Sequence, residues 1–233
     1  KKIKKKDLDI HDLKIIKESV DARKKPDIKK VYTLEFSCSQ KLPLKEVAER
    51  RYQVPVADGS GKDRPVVVGF GPAGMFAGLI LAEMGLKPVI LERGEPVEQR
   101  IKTVQKFWKD GILDPESNVQ FGEGGAGTFS DGKLTTGIKD VRISKVKEEL
   151  IQAGADPAVG YRQLPHIGTD VLREVVKKIR GKIIALGGDI RFESRLTGIC
   201  LKEDEPDRGQ QDLSPGALES KKYLTALKIN SGE

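Results

Sequence analysis

The sequence predicts an α/β protein in which a Rossmann-like domain, with a parallel sheet and a β-meander, follows a small α+β module. Three observations predict this architecture. Residues 65–94 read as strand, glycine-rich turn, helix and strand, which is one βαβ unit. A helical pattern and an alternating segment precede this unit, and further helical and alternating segments follow it. A chain of 233 residues has room for two domains, and we predict them at 1–60 and 61–233.

The predicted module at residues 1–60 contains two helices and a strand. Asp9 can cap a helix whose apolar residues recur at steps of three and four, namely Ile10, Leu13, Ile16 and Val20. Residues 28–38 alternate between apolar and polar side chains, which predicts a half-buried strand. Pro43 can begin a short helix that continues through Val47 and Ala48. Residues 57–64, ADGSGKDR, have the composition of a linker.

The basic residues of the chain are concentrated in this module. The net charge of the whole chain is +7, and the basic clusters KKIKKK and RKKPDIKK both precede the βαβ unit. Such clusters suit either an anionic partner, such as RNA, or a solvated surface. Aromatic residues that could stack on bases are not interleaved with the basic ones. We therefore favour the solvated surface and do not predict a nucleic-acid partner.

The βαβ unit carries the glycine pattern of a dinucleotide-binding turn. Gly69, Gly71 and Gly74 follow the strand Val66–Val68 directly, and Pro72 and Ala73 complete the turn. In this pattern the first glycine makes the turn, the second lets the backbone approach a pyrophosphate, and the third lets the helix pack closely. Glu92 ends the second strand, where a carboxylate can accept hydrogen bonds from a ribose. Its charge would repel the 2′-phosphate of NADP.

Helices and strands continue after the βαβ unit. We predict helices from Pro96 to Asp110, over 141–153 and from Thr169 to Gly187, then strands over 189–199 and 223–229 separated by a polar loop at 203–221. Arg93 and Arg100 flank the start of the first of these helices. They are either contacts to a pyrophosphate or ribose, or surface charges.

A second glycine-rich stretch, FGEGGAGTFSDGKL, lies at residues 121–134. It resembles a P-loop in its spacing, but Leu134 stands where a P-loop needs a magnesium-binding Ser or Thr. We expect the backbone of this stretch to lie along a flat ring or the second part of a dinucleotide. The residues assigned to this contact are Gly124, Gly125, Ala126 and Gly127, with hydroxyl groups from Thr128 and Ser130. The alternative is a loop that binds no ligand.

With both glycine stretches, the chain resembles the uncharacterised FAD-dependent dehydrogenases, a branch of the two-dinucleotide-binding flavoproteins related to glutathione reductase. The segments that carry the resemblance are VDARKKPDIKKVYTLEF, RPVVVGFGPAGMFAG with LERG, DPESNVQFGEGGAGTFSDGKL, PHIGTDVLREVVKKIR and GGDIRFESRLTGI. The resemblance implies FAD, with its pyrophosphate at the three glycines of the first turn and its adenosine ribose at Glu92. It also implies that backbone near Leu196 lies beside the adenine.

The resemblance further implies a longer protein. Members of such families continue into another apolar strand that closes the flavin domain, whereas this sequence stops shortly after residue 229 and begins with Lys. We therefore expect a fragment whose FAD-binding domain is incomplete at its C-terminal end.

These observations predict an FAD-dependent oxidoreductase with a small-molecule substrate and NAD(P)H as a candidate electron donor. His166 is the one candidate acid or base, with a structural role as the alternative. The alternative functions are an NAD-linked dehydrogenase and a nucleotide-sensing or nucleic-acid-binding module. Cys38 and Cys200 form neither a zinc motif nor a disulfide framework, so we predict no metal site. No apolar run approaches the roughly 20 residues of a membrane span, and we expect a cytoplasmic protein.

Overall fold

The computed structural model describes residues 8–48, 51–57, 63–130, 132–203 and 222–230. The chain forms a mixed α/β structure that includes a small parallel sheet of three strands. It divides into two compact units, the first made of residues 1–57 and 126–182, the second of 58–125 and 183–233. The predicted boundary between domains at residue 60 stays a prediction. Within the described ranges, no helix is long and apolar enough to cross a membrane.

The first unit begins with two long antiparallel strands, β1 (Ile10–Asp21) and β2 (Lys29–Cys38). The strand predicted at 28–38 is confirmed, but its predicted half-burial is not, because most residues of β2 are exposed. The helix predicted to begin after Asp9 is wrong. β1 contains two irregularities, between His11 and Lys14 and between Ile15 and Lys17, and each adds one residue opposite β2. A bulge of this kind turns an apolar step of two into a step of three, which imitates helical spacing.

The short helix predicted from Pro43 to Ala48 is also wrong, since these residues contain no helical turn. Six residues give fewer than two turns, and so short a segment forms a helix only when other parts of the protein stabilise it. The central part of the predicted linker, residues 58–62, lies outside the described residues, as does the first basic cluster.

Two helices dominate the rest of the first unit and confirm the predictions for residues 141–153 and 169–187. They are α3 (Val141–Gln152) and α4 (Thr169–Ala185), the second of which continues into the other unit. The apolar spacing of α4 marks its buried residues, which are Leu172, Val175, Val176, Ile179 and Ile183. Glu149 on α3 is buried, and its carboxylate contacts the ammonium groups of Lys145 and Lys182 at 2.7 Å each.

The N-terminus of α3 predicts a dependence of stability on pH. The Asp140 carboxylate accepts hydrogen bonds from the guanidinium and the backbone N–H of Arg142, which hold the pKa of Asp140 well below its usual value of 3.8. Because the lowered pKa favours the carboxylate in the folded chain, this stabilisation is present above about pH 4 and is lost as the pH falls through the lowered pKa. We expect Asp140→Asn to destabilise the chain near neutral pH and to lose its effect towards about pH 2. Urea unfolding at a series of pH values measures this difference, with Asp110→Asn at the exposed end of α2 as the control. An effect of Asp140→Asn that stays constant with pH would contradict the prediction.

The second unit contains the predicted βαβ unit. Strands β3 (Val66–Val68), β4 (Val89–Leu91) and β5 (Asp189–Arg191) form the parallel sheet, with β4 in the middle. Helix α1 (Pro72–Glu83) connects β3 to β4, and its buried residues are the predicted ones, Met75, Gly78, Leu79 and Ala82. Gly78 permits the close packing, because a Cβ there would overlap with the side chain of Ile90.

Helix α2 (Val97–Asp110) follows β4 and confirms the predicted helix, with Pro96 immediately before it. Gly111 ends α2 in the left-handed conformation, with φ at 71°.

The strand predicted over 189–199 is interrupted. Glu193 has a φ of 53°, and the chain leaves the parallel sheet after β5. It then forms β6 (Leu196–Glu203), which pairs antiparallel with β7 (Lys222–Ile229). The last predicted strand is thereby confirmed, while the polar loop between β6 and β7 falls on residues 204–221, outside the described ranges. The interruption carries the chain from one sheet to the other.

Candidate functional site

A cavity of about 410 Å³ lies in the second unit at the carboxyl ends of β3 and β4. Ligands of open parallel sheets bind at this edge. The cavity lining includes six residues that the sequence predicted as cofactor ligands, namely Gly69, Gly71, Glu92, Arg93, Gly125 and Leu196. The structure thus brings together residues from both glycine stretches and from the later strand.

Two glycines of the first turn, Gly69 and Gly74, are required by the backbone geometry. Gly69 has a φ of 94°, which side chains disfavour, and a Cβ on Gly74 would overlap with the carbonyl oxygen of Gly69. Gly71 precedes α1, and no side chain caps the helix there. The first backbone N–H groups of a helix have no acceptor within the helix, so those at the start of α1 can donate hydrogen bonds to an anion.

The second glycine stretch approaches the first turn within the same unit. The N–H of Gly124 donates to the carbonyl of Phe70 at 2.9 Å. Gly125 has a φ of 64°, and a Cβ there would lie 3.0 Å from Cδ of Pro72 and 3.4 Å from Cα of Gly71. At these positions the chain's own backbone makes the close approach that the sequence predicted for a cofactor.

Glu92 is buried and accepts three hydrogen bonds from backbone N–H groups. Its Oε2 accepts from Phe70 at 2.6 Å, and its Oε1 accepts from Gly94 at 2.8 Å and Gly122 at 3.1 Å. These donors belong to the first turn, to the turn after β4 and to the second glycine stretch. A carboxylate has about four acceptor positions, so about one is left for a ribose hydroxyl. The predicted ribose ligand therefore also holds the two glycine stretches together.

Two arginines line the cavity and share one carboxylate. Arg93 donates from Nε to Glu116 at 2.9 Å, and Arg195 donates to the other oxygen of Glu116 at 2.7 Å. The Arg93 guanidinium also stacks on the Phe121 ring, with its carbon 4.0 Å from the ring centroid. Arg93, Phe121 and Arg195 form a partly exposed cationic and aromatic edge of the cavity.

Arg100 is fully buried, so the proposal that it is a surface charge is wrong. Its guanidinium donates to four backbone carbonyls of the segment that leads into the second glycine stretch: Asn118 at 2.9 Å, Val119 at 2.9 Å, Glu123 at 2.6 Å and Gly125 at 2.8 Å. Arg100 does not appear in the cavity lining. It positions the loop that forms the lining.

The other predicted ligands lie elsewhere. Pro72, Ala73 and Gly74 form the first turn of α1 and are not part of the lining. Gly124 belongs to the second unit but is not part of the lining, and the other predicted ligands, Ala126, Gly127, Thr128 and Ser130, belong to the first unit. The candidate acid or base, His166, also belongs to the first unit. Thr128 is fully buried, and its carbonyl accepts a hydrogen bond from Arg173 at 3.3 Å. His166 is exposed and lines a separate cavity of about 700 Å³ with Lys133 and Thr135.

The cavity lining also contains side chains that are not among the predicted ligands, namely Gln120, Phe121, Ser194 and Arg195. Ser194 and Arg195 enter the site because the chain bends at Glu193, where the N–H of Ser194 donates to the carbonyl of Glu92 at 2.8 Å. The sequence indicates a role for Ser194 and Arg195 only by their position directly before the predicted ligand Leu196. Among the residues that the structure describes, no group of three or more His, Cys, Asp or Glu could hold a metal ion.

Comparison with known proteins gives two matches. Residues 1–37 match the model of a domain of unknown function, DUF8436. An uncharacterised protein of Clostridium beijerinckii (strain ATCC 51743 / NCIMB 8052) is 52% identical over 205 residues, which are 84% of this chain and 38% of that protein. The chain thus spans less than two fifths of the length of this relative. Neither match carries a described activity.

Proposed function

We propose that this chain is a Rossmann-like FAD-binding domain of an FAD-dependent oxidoreductase. The observation that carries the proposal is the cavity at the carboxyl ends of β3 and β4, where glycine backbone from two separate stretches meets an acidic residue at the end of β4. Dinucleotide sites of open α/β sheets combine these parts at this edge. The resemblance of both glycine stretches to the FAD-dependent dehydrogenases selects FAD among the dinucleotides.

The residues present fit the adenosine diphosphate part of such a cofactor. A side chain at Gly69 or Gly74 would be strained or would overlap with backbone, so the turn keeps its backbone accessible beside the uncapped start of α1. We assign the diphosphate to this turn, the ribose to the acceptor position that remains on Glu92, and the adenine to the edge near Leu196. FAD, when bound, supplies two-electron chemistry, and the protein supplies its position and electrostatic environment.

Arg93 and Arg195 give the site a way to discriminate between nucleotides. Both guanidinium groups are held by Glu116, which neutralises part of their charge at the cavity edge. A ribose 2′-phosphate would meet the Glu92 carboxylate on one side and would have to compete with Glu116 for these arginines on the other. We therefore propose that the site prefers FAD and NAD to NADP.

Titration with nucleotides tests the function. We expect the purified chain to bind FAD and to change its fluorescence, with ADP as a competitor because it shares the proposed half of the site. The same titration with NAD distinguishes an FAD site from the alternative of an NAD-linked dehydrogenase. The full-length relative from Clostridium beijerinckii is titrated in parallel, because this chain spans only part of its length. A folded chain and a folded relative that bind neither FAD nor ADP would refute the proposal.

Gly74→Ala tests the turn itself. The added Cβ would overlap with the Gly69 carbonyl, so we expect a loss of about 2 to 3 kcal/mol in the free energy of unfolding and a loss of nucleotide binding. Gly181→Ala is the matched control, because Gly181 is exposed within α4 and a Cβ there meets open space. This control should stabilise the chain by up to about 1 kcal/mol, as alanine favours helix. Urea unfolding and FAD titration measure both variants, and equal stability of the two would contradict the geometry.

A further inference from the structure

A cleft in the C-terminal part of the first unit lies between the segment 134–147 and the segment 162–165. Its volume is about 840 Å³, which is within the range of cavities that bind small molecules. The cleft is separate from the dinucleotide cavity, since all of its lining residues belong to the first unit. No part of the proposed FAD site uses it.

The body of the cleft is apolar. Its lining includes the side chains of Leu134, Ile138, Ile143, Val146, Leu150 and Leu164. Two of them, Ile138 at 67% and Leu164 at 74%, are among the most exposed large apolar residues of the described chain. A ligand that covers them would remove apolar surface from water, which is favourable at about 25 cal/mol per Å².

The charged residues of the cleft are mostly basic. Four basic side chains and one acidic one contribute to the lining, which gives a net charge of +3. Arg142 is paired with the acidic residue, Asp140. The Lys147 ammonium donates to the carbonyl of Gly160 at 3.3 Å. Lys139 and Arg162 form no ion pair with any residue that the structure describes. The excess positive charge is therefore available to an anion.

We propose that this cleft is a binding site for an amphipathic organic anion, a small molecule with an apolar body and a carboxylate head. The apolar lining fits the body, and Lys139, Lys147 and Arg162 fit the head by charge. A purely polar anion would leave the apolar lining uncovered, whereas a neutral apolar molecule would leave the cationic groups without a counter-charge. The combination of both features selects the amphipathic anion.

The cleft adjoins the cavity that contains His166. Thr135, Leu164 and Pro165 line both, so the two spaces share one wall. The second cavity brings His166 and Lys133 beside this wall, on chain segments joined by the backbone hydrogen bonds of an isolated bridge. A ligand in the cleft would therefore lie next to the cavity that contains the His166 imidazole.

Binding of alkyl carboxylates tests the proposal with the chain in the absence of FAD. The probe is decanoate, measured by isothermal titration calorimetry, with octanoate as the shorter homologue and decanol and decyltrimethylammonium as the neutral and cationic counterparts. We expect one decanoate per chain, bound about ten- to twentyfold more tightly than octanoate, as two methylene groups predict. Decyltrimethylammonium should bind at least tenfold more weakly than decanoate.

Variants locate the ligand. Lys139→Gln and Arg162→Gln should each weaken decanoate binding about two- to fivefold, and the double variant about tenfold, because each removes one exposed charge. Ser144→Trp places a large side chain at an exposed position of the lining and should reduce binding more than tenfold. Lys102→Gln, at an exposed lysine on α2, is the matched control and should bind decanoate unchanged.

Two results would overturn the proposal. One is an absence of decanoate binding to a chain that far-UV circular dichroism shows to be folded. The other is decanoate binding whose affinity is the same in the double variant and in Ser144→Trp as in the unaltered chain. None of these measurements contains FAD, so neither result tests the proposed flavin site. Likewise, a failure of the chain to bind FAD would not affect the proposal for this cleft.

Discussion

Replacing Arg100 by methionine should lower the free energy of unfolding by about 3 to 5 kcal/mol. The guanidinium is fully buried and donates to four carbonyls between Asn118 and Gly125. Methionine fills much of the same space but donates no hydrogen bond, so it leaves four carbonyls without these donors, three of them in buried hydrogen bonds. Each carbonyl that loses its partner costs about 1 to 3 kcal/mol when it stays buried, and partial relaxation of the loop reduces the sum.

Arg64→Met is the matched control for this measurement. Arg64 lies in the same unit and also donates to backbone carbonyls, those of Pro88 and Gly187 among them, but it is exposed. Water can replace its hydrogen bonds, so the control should cost less than about 1 kcal/mol. Urea unfolding at constant pH compares the two variants, and a similar cost for both would show that burial of Arg100 does not determine its contribution.

Arg100→Lys separates charge from geometry. Lysine keeps a positive charge but presents three donors from one atom, whereas the guanidinium presents five donors in a planar fork. Four carbonyls at different positions cannot all be reached from one ammonium. We therefore expect Arg100→Lys to be nearly as destabilising as Arg100→Met, and a fully stable lysine variant would contradict the assigned hydrogen bonds.

The βαβ unit could be predicted from the sequence because its determinants are local. The strand Val66–Val68, the glycines at 69, 71 and 74 and the buried residues of α1 all lie within one short stretch. Propensity, turn chemistry and apolar spacing agree there. For α4 the same holds, since its apolar residues recur at helical spacing and Gly187 follows it.

The strand β1 could not be predicted because its register depends on its partner. Ile10, Leu13 and Ile16 stand at helical spacing, yet the steps between them span the two irregularities opposite β2. A bulge is defined by two residues facing one on the neighbouring strand, and that count does not exist in the sequence of β1 alone. The β-branched residues of this segment, Ile10, Ile15, Ile16 and Val20, favour a strand, whereas their apolar spacing alone favours a helix.

The interior of the candidate site was only partly predictable for a similar reason. Arg100 follows a predicted helix start, and nothing local indicates that its side chain is buried beneath the loop at 118–125. The bend at Glu193, which places Arg195 in the lining, is also invisible in an alternating pattern. Both features arise from contacts between segments that are distant in sequence.

Glu92→Gln should lower the free energy of unfolding by about 2 to 4 kcal/mol. The carboxylate accepts from the N–H groups of Phe70, Gly94 and Gly122 with both of its oxygens. Glutamine has one oxygen and one NH₂ group at the same place, so at least one backbone N–H would face a donor rather than an acceptor. We expect most of the lost free energy to come from the hydrogen bonds of Phe70 and Gly122, through which Glu92 holds the first turn to the second glycine stretch.

Glu116→Gln is the matched control for this substitution. Glu116 also accepts hydrogen bonds from two partners at the same cavity, but its side chain is 34% exposed and its partners, Arg93 and Arg195, are partly exposed as well. Its cost should stay below about 1 kcal/mol. Unfolding measured without nucleotide isolates the structural contribution of each carboxylate, because no cofactor is then present to be lost.

Nucleotide binding by the same two variants separates the roles proposed for Glu92. At a temperature where Glu92→Gln is still folded, a loss of FAD and ADP affinity in this variant, with affinity kept in Glu116→Gln, would support Glu92 as both ribose ligand and structural acceptor. Unchanged affinity for ADP in a destabilised Glu92→Gln would assign Glu92 a structural role alone. A variant as stable as the unaltered chain would contradict the three hydrogen bonds on which both roles depend, since a buried carboxylate with three N–H donors cannot be replaced by an amide without cost.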